Sequence, residues 1–490
     1  MTAAVPSGGG PARPAPRLLL SAAHKSSGKT TVTVGLAAAL ARRGLAVQPF
    51  KKGPDYIDPL WLSAAAGRPC RNLDFHTMPP ALIRASFERH SRGADISLIE
   101  GNKGLYDGVD LEGEGSSARL ALWLEAPVVL VIDTSGMTRG IAPLLLGYAA
   151  FEPQLRIAGV ILNKVGGPRH ERKLREVVAH YTGIPVLGAV HRVREMEILE
   201  RHLGLVPANE QDEAAQAVAR LGEAVAAGVD LDALLALAAE ASPAEIFPDP
   251  PPPRPASPVR IGVVRDAAFG FYYPEDFEAL AAGGAELVFC DAINDSRLPE
   301  SIDGLFIGGG FPETQAAALE ANAGFRADLA SRARAGLPVY AECGGLMYLS
   351  RAIRWRGERR EMAGLIPGEA VMHDRPQGRG YVRLRETAAF PWPRLENGPG
   401  VLAGHEFHYS RLENLEGEFA YAYDVLRGAG LGEKRDGLIL ANTLATYAHM
   451  RSVGPSPWAG RFAAFVRDCA QKRKPAPIRT SGDVGAPAMG

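Results

Sequence analysis

The sequence predicts an α/β protein of two domains, each built around a parallel β-sheet. The chain has 490 residues, which is more than one compact core usually holds. Short apolar runs alternate with stretches rich in Ala and Leu, as in buried parallel strands joined by crossover helices. A dense run of prolines, PDPPPPRPASP at 248–258, interrupts this alternation once, and the alternation resumes after it.

These observations divide the chain into five segments. Residues 1–16 are expected to form a disordered tail because they contain almost no large apolar side chains. Residues 17–247 and 259–471 form the two domains. Residues 248–258 link them, since proline at that density favours an extended, semi-rigid chain. Residues 472–490 form a loose tail. Strands are predicted at 18–23, 96–100, 128–133, 157–163, 186–190, 259–264, 286–289, 304–307 and 339–341, and helices at 31–42 and 210–239.

Composition excludes several classes of partner. The net charge of −1 gives no reason to expect nucleic acid or an anionic membrane surface. The four cysteines are far apart in sequence, so neither a zinc site nor a disulfide framework is indicated. The first apolar run, 18–23, is too short for a signal peptide or a membrane span. We therefore expect a cytoplasmic protein.

The segment HKSSGKTT, which ends at Thr31, has the features of a phosphate-binding loop. Gly28 lets backbone N–H groups face phosphates, Lys29 supplies positive charge, and Thr30 supplies a hydroxyl for Mg²⁺. The segment follows a predicted strand and precedes a predicted helix, so we interpret Gly28 to Thr31 as nucleotide-binding. Lys25 adds a nearby charge, although a solvated loop lysine explains it equally well.

Carboxylates follow two other segments of the predicted first sheet. FKKGPDYIDP contains Asp55 and Asp58, and IEGNKGLYDG contains Glu100 and Asp107. Ligands of open α/β sheets bind beyond the carboxyl ends of the strands, so these acids are expected near the phosphate loop. They are suited to hold Mg²⁺ or to position a reacting acid. The alternative is turn chemistry, which Asp and Gly favour in any loop.

Two further strand ends carry polar residues. Asp133 closes VVLVID and is a candidate acid on the Mg²⁺ side of the site. Asn163 follows IAGVIL and is assigned to the nucleotide, with a hydrogen bond to the edge of a base. A turn role is open for both residues.

Cys343 in VYAECGGLMYL is the candidate nucleophile of the second domain. It follows a predicted strand and is followed by Gly344 and Gly345, which predicts the tight strand-to-helix turn of a nucleophile elbow. A helix N-terminus there is expected to lower the pKa of the thiol and to supply N–H groups for an oxyanion. The alternative is a buried, inert thiol, a common role of free cysteine.

A cysteine nucleophile needs a base, and His449 in TYAHM is the main candidate. His405 and His408, in GHEFHYS, are competitors. Glu342 or another acid is open as the group that orients the base, because a third member of such a set is recognised by geometry.

By these motifs the chain resembles the cobyrinic acid a,c-diamide synthase family from about Arg17 to Arg467. The resemblance implies a P-loop NTPase-like, dethiobiotin-synthetase-like ATPase domain followed by a flavodoxin-like class I glutamine amidotransferase domain. The matching motifs are SSGKTT, GPDYIDP, RNLD at 71–74, EGNKGLYDG, IGGGFPE, AECGG, GHEFHYS and a late, strand-borne histidine.

The resemblance also implies a reaction. Cys343, with His449 as proton shuttle, would release ammonia from L-glutamine. ATP with Mg²⁺ would phosphorylate the a and c acetate carboxylates of a tetrapyrrole, most simply cobyrinate or hydrogenobyrinate, and ammonia would replace the phosphate. Thr30, Asp55 and Glu100 take the metal positions, and Asp58 and Asp107 lie near the phosphate or substrate. A homodimer is compatible with this family.

The chain departs from the common family form at four places. Lys25-Ser26 replaces Ser-Gly in the phosphate loop, Lys52 precedes Gly53, and Asn102 and Lys103 replace two apolar residues. The late motif, usually histidine, leucine, histidine, reads His449, Met450, Arg451. Lys52, Asn102 and Lys103 are therefore either solvated variation or contacts to a differently charged ring, such as sirohaem. A remote alternative is a non-catalytic nucleotide switch.

Overall fold

The structure is a computed structural model, and it describes residues 16–192, 200–201, 204–205, 214–241, 258–395, 400–454 and 457–473. The predicted tail residues 1–15, the linker residues 248–257 and the tail residues 474–490 lie outside the described part of the chain, as does the predicted end of the first domain at 247. No described helix is both long and apolar enough to cross a membrane.

The first domain is built on a seven-stranded, all-parallel sheet with strand order β3-β2-β4-β1-β5-β6-β7. Two large apolar clusters cover its two faces. Two short strands, β8 and β9, pair separately. The elements are β1 Arg17–Ala22, α1 Lys29–Arg42, β2 Val47–Lys52, α2 Ile57–Ala66, β3 Arg71–Leu73, α3 Pro80–Ser91, β4 Ile96–Glu100, α4 Ser117–Trp123, β5 Val128–Asp133, α5 Ile141–Phe151, β6 Ile157–Val165, α6 Pro168–Tyr181, β7 Val186–His191, β8 Glu200–Arg201, β9 Gly204–Leu205, α7 Ala214–Gly228 and α8 Leu231–Ala239.

Chain order in this sheet reverses at β1, which pairs with β4 on one side and β5 on the other. Every residue of β1 is buried, as the continuous apolar run predicts. Helix α1 starts directly after Gly28 and packs on α7 so closely that a Cβ on Gly35 would lie 2.5 Å from a methyl carbon of Val225. The loops that leave β1, β2 and β4 therefore meet at one edge of the sheet.

The second domain has a ten-stranded mixed sheet of order β12-β10-β13-β15-β24-β23-β22-β19-β20-β25. Strands β12 to β24 in that order are parallel, and the remainder are antiparallel. A four-stranded sheet, β17-β16-β18-β21, packs beside it. The elements are β10 Val259–Val264, β11 Phe269–Phe271, α9 Pro274–Ala282, β12 Ala285–Cys290, β13 Gly304–Ile307, β14 Gly309–Gly310, α10 Ala316–Ala321, α11 Ala323–Arg334, β15 Val339–Glu342, α12 Gly344–Leu349, β16 Ser350–Trp355, β17 Glu358–Glu361, β18 Ile366–Met372, β19 Gly378–Glu386, β20 Val401–His408, β21 Ser410–Glu413, β22 Ala420–Arg427, β23 Arg435–Leu440, β24 Thr443–Thr446, β25 His449–Met450 and α13 Trp458–Arg473.

Three features differ from the sequence-based prediction. The helix predicted over 210–239 is two helices, because the Asp230 carboxylate accepts a hydrogen bond from Ala233 N at 2.9 Å and starts α8 anew. Helix α13 continues to Arg473, two residues into the predicted loose tail. Most of the antiparallel half of the second sheet was not predicted, since strands such as β19 alternate buried and exposed residues and lack a continuous apolar run.

The RNLD segment, 71–74, lies in contact with the second domain. Arg71 forms an ion pair with Glu278, and Tyr381 donates a hydrogen bond to Asp74 at 2.7 Å. In the neighbouring loop, Pro54 O accepts a hydrogen bond from Tyr273 at 2.8 Å. These contacts bring the carboxyl edge of the first sheet against the second domain.

Candidate functional site

The phosphate loop has the backbone that its sequence predicts. Gly28 has φ of +84°, a left-handed conformation that glycine adopts without strain. A Cβ at this position would lie 2.1 Å from Nδ2 of Asn163. Asn163 donates from Nδ2 to Ser27 O at 2.8 Å, so its side chain braces the loop from the end of β6. The predicted contact of Asn163 with a nucleotide base stays a prediction.

Four predicted residues converge beside this loop around a lysine. Thr30 donates to Glu100 at 2.7 Å. The Lys51 ammonium contacts Glu100 at 2.9 Å, forms a short ion pair with Asp58, and lies 3.8 Å from Asp55. β2 and β4 are adjacent and parallel, with Lys51 opposite Glu100. The sheet register therefore assembles the cluster.

The charges in this cluster are strongly interdependent. Burial alone would lower the pKa of Lys51, but the carboxylates of Asp58, Glu100 and Asp55 raise it, so the ammonium is retained. Burial and the adjacent Asp58 raise the pKa of Asp55 to about 8. Burial would also raise the pKa of Asp58, but Lys51 outweighs burial and lowers it. Of Asp55 and Asp58, it is therefore Asp58 that carries the negative charge, while Asp55 holds its proton.

Lys51 was not among the predicted site residues, whereas its neighbour Lys52 was. A strand was not predicted there, because β2 reads VQPFKK and contains a proline and two lysines. Both lysines are buried. Burial lowers the pKa of Lys52 to about 8, with Asp74 opposing the shift. The signal that could have located Lys51 is the pairing of two strands that both end in charged residues.

The other predicted residues lie around this cluster without joining its ion pairs. Asp107 accepts a hydrogen bond from Gly104 N at 2.8 Å and shapes the loop after β4. Nδ2 of Asn102 would lie 3.5 Å from a Cβ on Gly53, and Lys103 has φ of +54° in the same loop. Asp133 forms an ion pair with Lys164 at 2.8 Å, which favours a structural role for it.

The oxygen atoms here fit a magnesium ion. One carboxylate oxygen of Glu100, Oε2, is buried and has no hydrogen bond from the described residues. Thr30 donates a hydrogen bond to Glu100, Asp55 lies 3.8 Å from the lysine that contacts Glu100, and Mg²⁺ prefers such oxygen ligands. Within the described ranges, no three acidic, histidine or cysteine side chains form a preassembled metal cage. Mg²⁺ is commonly held by one or two carboxylates together with phosphate and water.

Cys343 lies in a nucleophile elbow, as predicted. Its backbone has φ 45° and ψ −99°, between β15 and α12, and such strain in a non-glycine residue is typical of functional sites. The expected lowering of the thiol pKa is wrong for this structure. Burial raises the pKa of Cys343, Glu313 adds to that shift, and the N–H of Gly344 opposes it. Helix α12, which was expected to lower this pKa, has only six residues. Because the pKa of the thiol is raised, a thiolate forms only with the help of a base.

His449 is placed to be that base. Cys343 N donates to Thr446 O at 2.7 Å, which ties the elbow to the strand that precedes the histidine. Gly309 packs on the His449 ring so closely that a Cβ there would lie 2.4 Å from Cε1. Nδ1 of His449 lies 3.6 Å from Glu342 Oε2 and is buried without a hydrogen bond from the described residues.

Glu342 is itself held in place. Its Oε1 accepts hydrogen bonds from Tyr340 at 2.6 Å and from Met450 N at 3.0 Å. The carboxylate therefore faces His449 from a fixed position, and Glu342 is the acid that the geometry favours as the orienting group.

The two competing histidines have other surroundings. His405 stacks on His449 with ring centroids 4.9 Å apart, and burial lowers its pKa well below the usual value, with His449 and Arg451 adding to the shift. His408 stacks on Tyr447 at 3.9 Å and contacts Ser410 O at 2.8 Å. Of the three, His449 is the histidine that faces Glu342 and packs on Gly309, so it stays the main candidate for the base.

Tyr56 lies between the two groups of residues. It follows Asp55 in the chain, and its ring centroid is 5.2 Å from that of His449 and 5.5 Å from that of His405. The ring also stacks on Phe271 at 5.2 Å. Tyr56 thus connects the turn that carries Asp55 to the histidines of the second domain.

Comparison with known proteins agrees with both halves. Residues 21–206 match the CobQ/CobB/MinD/ParA nucleotide binding domain, and residues 260–454 match the CobB/CobQ-like glutamine amidotransferase domain. The cobyrinate a,c-diamide synthase of Magnetococcus marinus is 48% identical over 460 residues, which is 92% of this chain and 97% of that protein. The chain belongs to the cobyrinate a,c-diamide synthase family.

Other members of the family match over similar lengths. The cobyrinate a,c-diamide synthase of Methanosarcina acetivorans is 40% identical and covers 94% of this chain and 97% of its own. The hydrogenobyrinate a,c-diamide synthase of Streptomyces coelicolor is 42% identical and covers 92% and 98%. The predicted family and the predicted two-domain α/β fold are thereby confirmed.

Proposed function

We propose that the protein is a glutamine-hydrolysing ligase that uses ATP to convert the a and c acetate side chains of a corrin acid, cobyrinate or hydrogenobyrinate, to amides. The observation that carries this proposal is the joining of two complementary sites through one residue, Tyr56. A phosphate loop with a carboxylate–lysine cluster lies on one side of it, and a cysteine–histidine–glutamate set lies on the other.

The cysteine site supplies ammonia. Cys343 transfers its proton to His449, which Glu342 orients, and the thiolate attacks the side-chain amide carbon of glutamine. The C–N bond breaks, the nitrogen takes the proton from His449, and ammonia leaves a γ-glutamyl thioester. Water then cleaves the thioester, giving glutamate and the thiol. The raised thiol pKa makes the histidine necessary, because little thiolate exists without it.

The phosphate site activates the acid. A carboxylate oxygen of the corrin attacks the γ-phosphorus of ATP, ADP leaves, and an acyl phosphate forms. Ammonia then attacks the acyl carbon, and the C–O bond to phosphate breaks. Lys29 and Lys51 are positioned to neutralise charge on the phosphates as it shifts from γ-phosphate to ADP.

Thr30, Glu100 and Asp55 are the residues that would hold Mg²⁺, for the reasons of geometry given above. A bound Mg²⁺ would supply charge stabilisation to the phosphate oxygens. Asp58 and Asp107 complete the acidic surroundings, and Lys52, Asn102 and Lys103 are assigned to the side of the site that faces the corrin carboxylates.

Several partner assignments accompany this proposal. Relatives that match nine-tenths of the chain carry names with corrin acids, which favours these rings over sirohaem. The match to an amidotransferase domain disfavours a non-catalytic nucleotide switch. We further propose a cytoplasmic enzyme with no nucleic-acid or membrane partner, in which a homodimer is an option that sedimentation analysis would test.

The decisive test is mass spectrometry of products made by the purified protein with ATP, Mg²⁺ and glutamine. Cobyrinate, hydrogenobyrinate and sirohaem are offered separately. Two successive gains of one amide on a corrin acid support the proposal. Amidation of sirohaem alone would assign Lys52, Asn102 and Lys103 to reading a different ring. Glutamine hydrolysis without amidation of any ring contradicts the tetrapyrrole assignment.

A further inference from the structure

We infer that Arg451 is a positioning residue that fastens the strand of His449 to the Asp55–Asp58 loop, and so couples ammonia release to amidation. This inference rests on the proposed function, and it concerns a residue that takes no part in either reaction directly. In the sequence, Arg451 stands out only as a departure from the usual motif.

The side chain of Arg451 crosses from the second domain into the first. It is 1% exposed. Nη2 donates to Asn72 O at 2.8 Å, and Nη1 contacts the sulfur of Met78 at 3.3 Å. On its own domain, the guanidinium lies 3.3 Å from Glu275 and 4.7 Å from the ring centroid of Tyr273. The one cation therefore contacts both domains.

The acceptor in the first domain leads directly to the phosphate site. Asn72 is 1% exposed, and its Nδ2 donates to Gly53 O at 2.8 Å and to Asp55 O at 2.7 Å. These bonds hold both ends of the turn that carries Asp55. Arg451 donates to the main chain of Asn72, whose side chain binds this turn. A shift of the turn would therefore move the acceptor of the guanidinium.

On the other domain, Arg451 is two residues from the candidate base. His449 and Met450 form β25, and Met450 N donates to Glu342, which faces His449. Tyr56, in the same turn as Asp55, packs against the His449 ring. The turn and the histidine are therefore joined twice, once through Tyr56 and once through Arg451.

Burial makes this attachment sensitive to the position of the domains. A buried guanidinium is costly unless all its partners are present. Neither carboxylate oxygen of Glu275 accepts a hydrogen bond from the described residues, so this acid compensates Arg451 by charge and little else. Nε of Arg451 is buried without a hydrogen bond from the described residues, so the guanidinium depends strongly on Asn72 O, and Arg451 favours the domain arrangement that supplies this acceptor.

The test is the number of glutamates released per amide formed, measured in Arg451→Met. Glutamate is quantified enzymatically and the amide by mass spectrometry. We expect the ratio to rise about threefold to thirtyfold over that of the unaltered protein. With ammonium chloride as nitrogen source, the rate of amidation should stay within about threefold of the unaltered protein. A positioning role predicts this split between nitrogen sources, whereas a general loss of structure lowers both.

Arg461→Met is the matched control. Arg461 is also a buried arginine of the second domain, paired with Glu386 and bound to Pro393 O, and none of these partners lies in the first domain. Its ratio should equal that of the unaltered protein. Equal ratios in all three proteins, or an equal rise in both variants, overturn the inference.

Arg451→Lys keeps the experiment decisive if the Met variant does not fold. Lysine retains the charge opposite Glu275 but does not reach Asn72 O and Met78 together, so an intermediate ratio is expected, and an unchanged ratio contradicts the inference. Failure of the unaltered protein to amidate any corrin acid with ammonia is a different result, because it contradicts the proposed function itself.

Discussion

The two candidate sites differ in how they handle charge. In the first domain, a lysine and three carboxylates meet beside the phosphate loop, with Lys51 and Glu100 buried and the two aspartates partly exposed. In the second domain, the thiol of Cys343 and the ring of His449 lie among aromatic side chains, with Glu342 as the acid beside the histidine. One site is prepared for a polyanion, and the other develops charge only during reaction.

The difference teaches how one chain separates two incompatible reactions. Phosphoryl transfer needs fixed cations and acids from the start. Ammonia must stay unprotonated, so its source is better placed in dry, weakly charged surroundings. Tyr56, which is 7% exposed, follows Asp55 in the chain and packs against the His449 ring, so it lies where the two sites meet. If this contrast is correct, each site can be disabled while the other continues to work.

The largest effect should follow Cys343→Ala. Amidation with glutamine should fall about 10³-fold or more, because the thiolate is lost. Amidation with ammonium chloride should stay within a few-fold of the unaltered protein, since the phosphate site is intact. Product mass spectra with each nitrogen source measure both. Loss of both activities would show that the two sites are not separable.

The second-largest effect is expected for Lys51→Met, which should disable the phosphate site and leave the cysteine site working. Removing the central ammonium leaves Glu100 and Asp58 without their counter-charge. Amidation should fall about 10²- to 10³-fold with either nitrogen source, while hydrolysis of glutamine continues. Urea unfolding should show a loss of about 3–5 kcal/mol for the first domain.

Arg42→Met is the control for Lys51→Met. It removes an exposed ion pair with Glu223 on the same domain, and the expected loss of stability is below about 1 kcal/mol. Equal losses in both variants would mean that the buried cluster contributes no more than a surface pair.

Gly309→Ala sharpens the contrast on the cysteine side. The added methyl group would lie 2.4 Å from Cε1 of His449 and must displace the ring. Hydrolysis of glutamine should fall about 10- to 10²-fold, as expected for a misplaced base, with amidation from ammonia unchanged. Gly400→Ala is a control, since nothing lies within 4 Å of a Cβ there. A normal rate of hydrolysis in Gly309→Ala would remove His449 from its assigned role.

How far the sequence predicts this molecule depends on the kind of signal. The elements that lead to Thr30, Glu100 and Cys343 were predictable, because continuous apolar runs mark buried parallel strands and glycines mark the turns after them. Lys51 was not, since it depends on the alignment of β2 with β4. Residue spacing along one strand says nothing about the residue opposite.

The same limit applies between the domains. The RNLD motif is visible in the sequence. Its contacts with Tyr381 and Arg451 are not, because they join residues more than three hundred positions apart. The pKa of Cys343 was predicted in the wrong direction because the sequence shows the helix that follows but not the burial around the thiol. Tertiary surroundings decided the outcome in each case.

The smallest expected effect is a pH dependence of protein stability that comes from Asp55 and not from Asp58. Its folded-state pKa, about 8, lies above its ordinary value of 3.8. Between these values the folded protein holds a proton that the unfolded chain has released, so this group's contribution to stability falls as pH rises and is flat above about pH 8. The slope of stability against pH cannot exceed about 1.4 kcal/mol per pH unit. We expect a shallower slope because the Asp55 side chain is 30% exposed.

Asp55→Asn should remove that part of the pH dependence. Urea unfolding of both proteins without nucleotide or Mg²⁺, from pH 5 to 8, measures it, and the two curves should converge toward pH 5. Asp133→Asn is the control, because Lys164 and backbone N–H groups lower the pKa of Asp133, and its contribution is lost only as pH falls into the acidic range. Parallel curves for Asp55→Asn and the unaltered protein would mean that Asp55 is ionised in the folded state and that Lys51 faces three carboxylate charges instead of two.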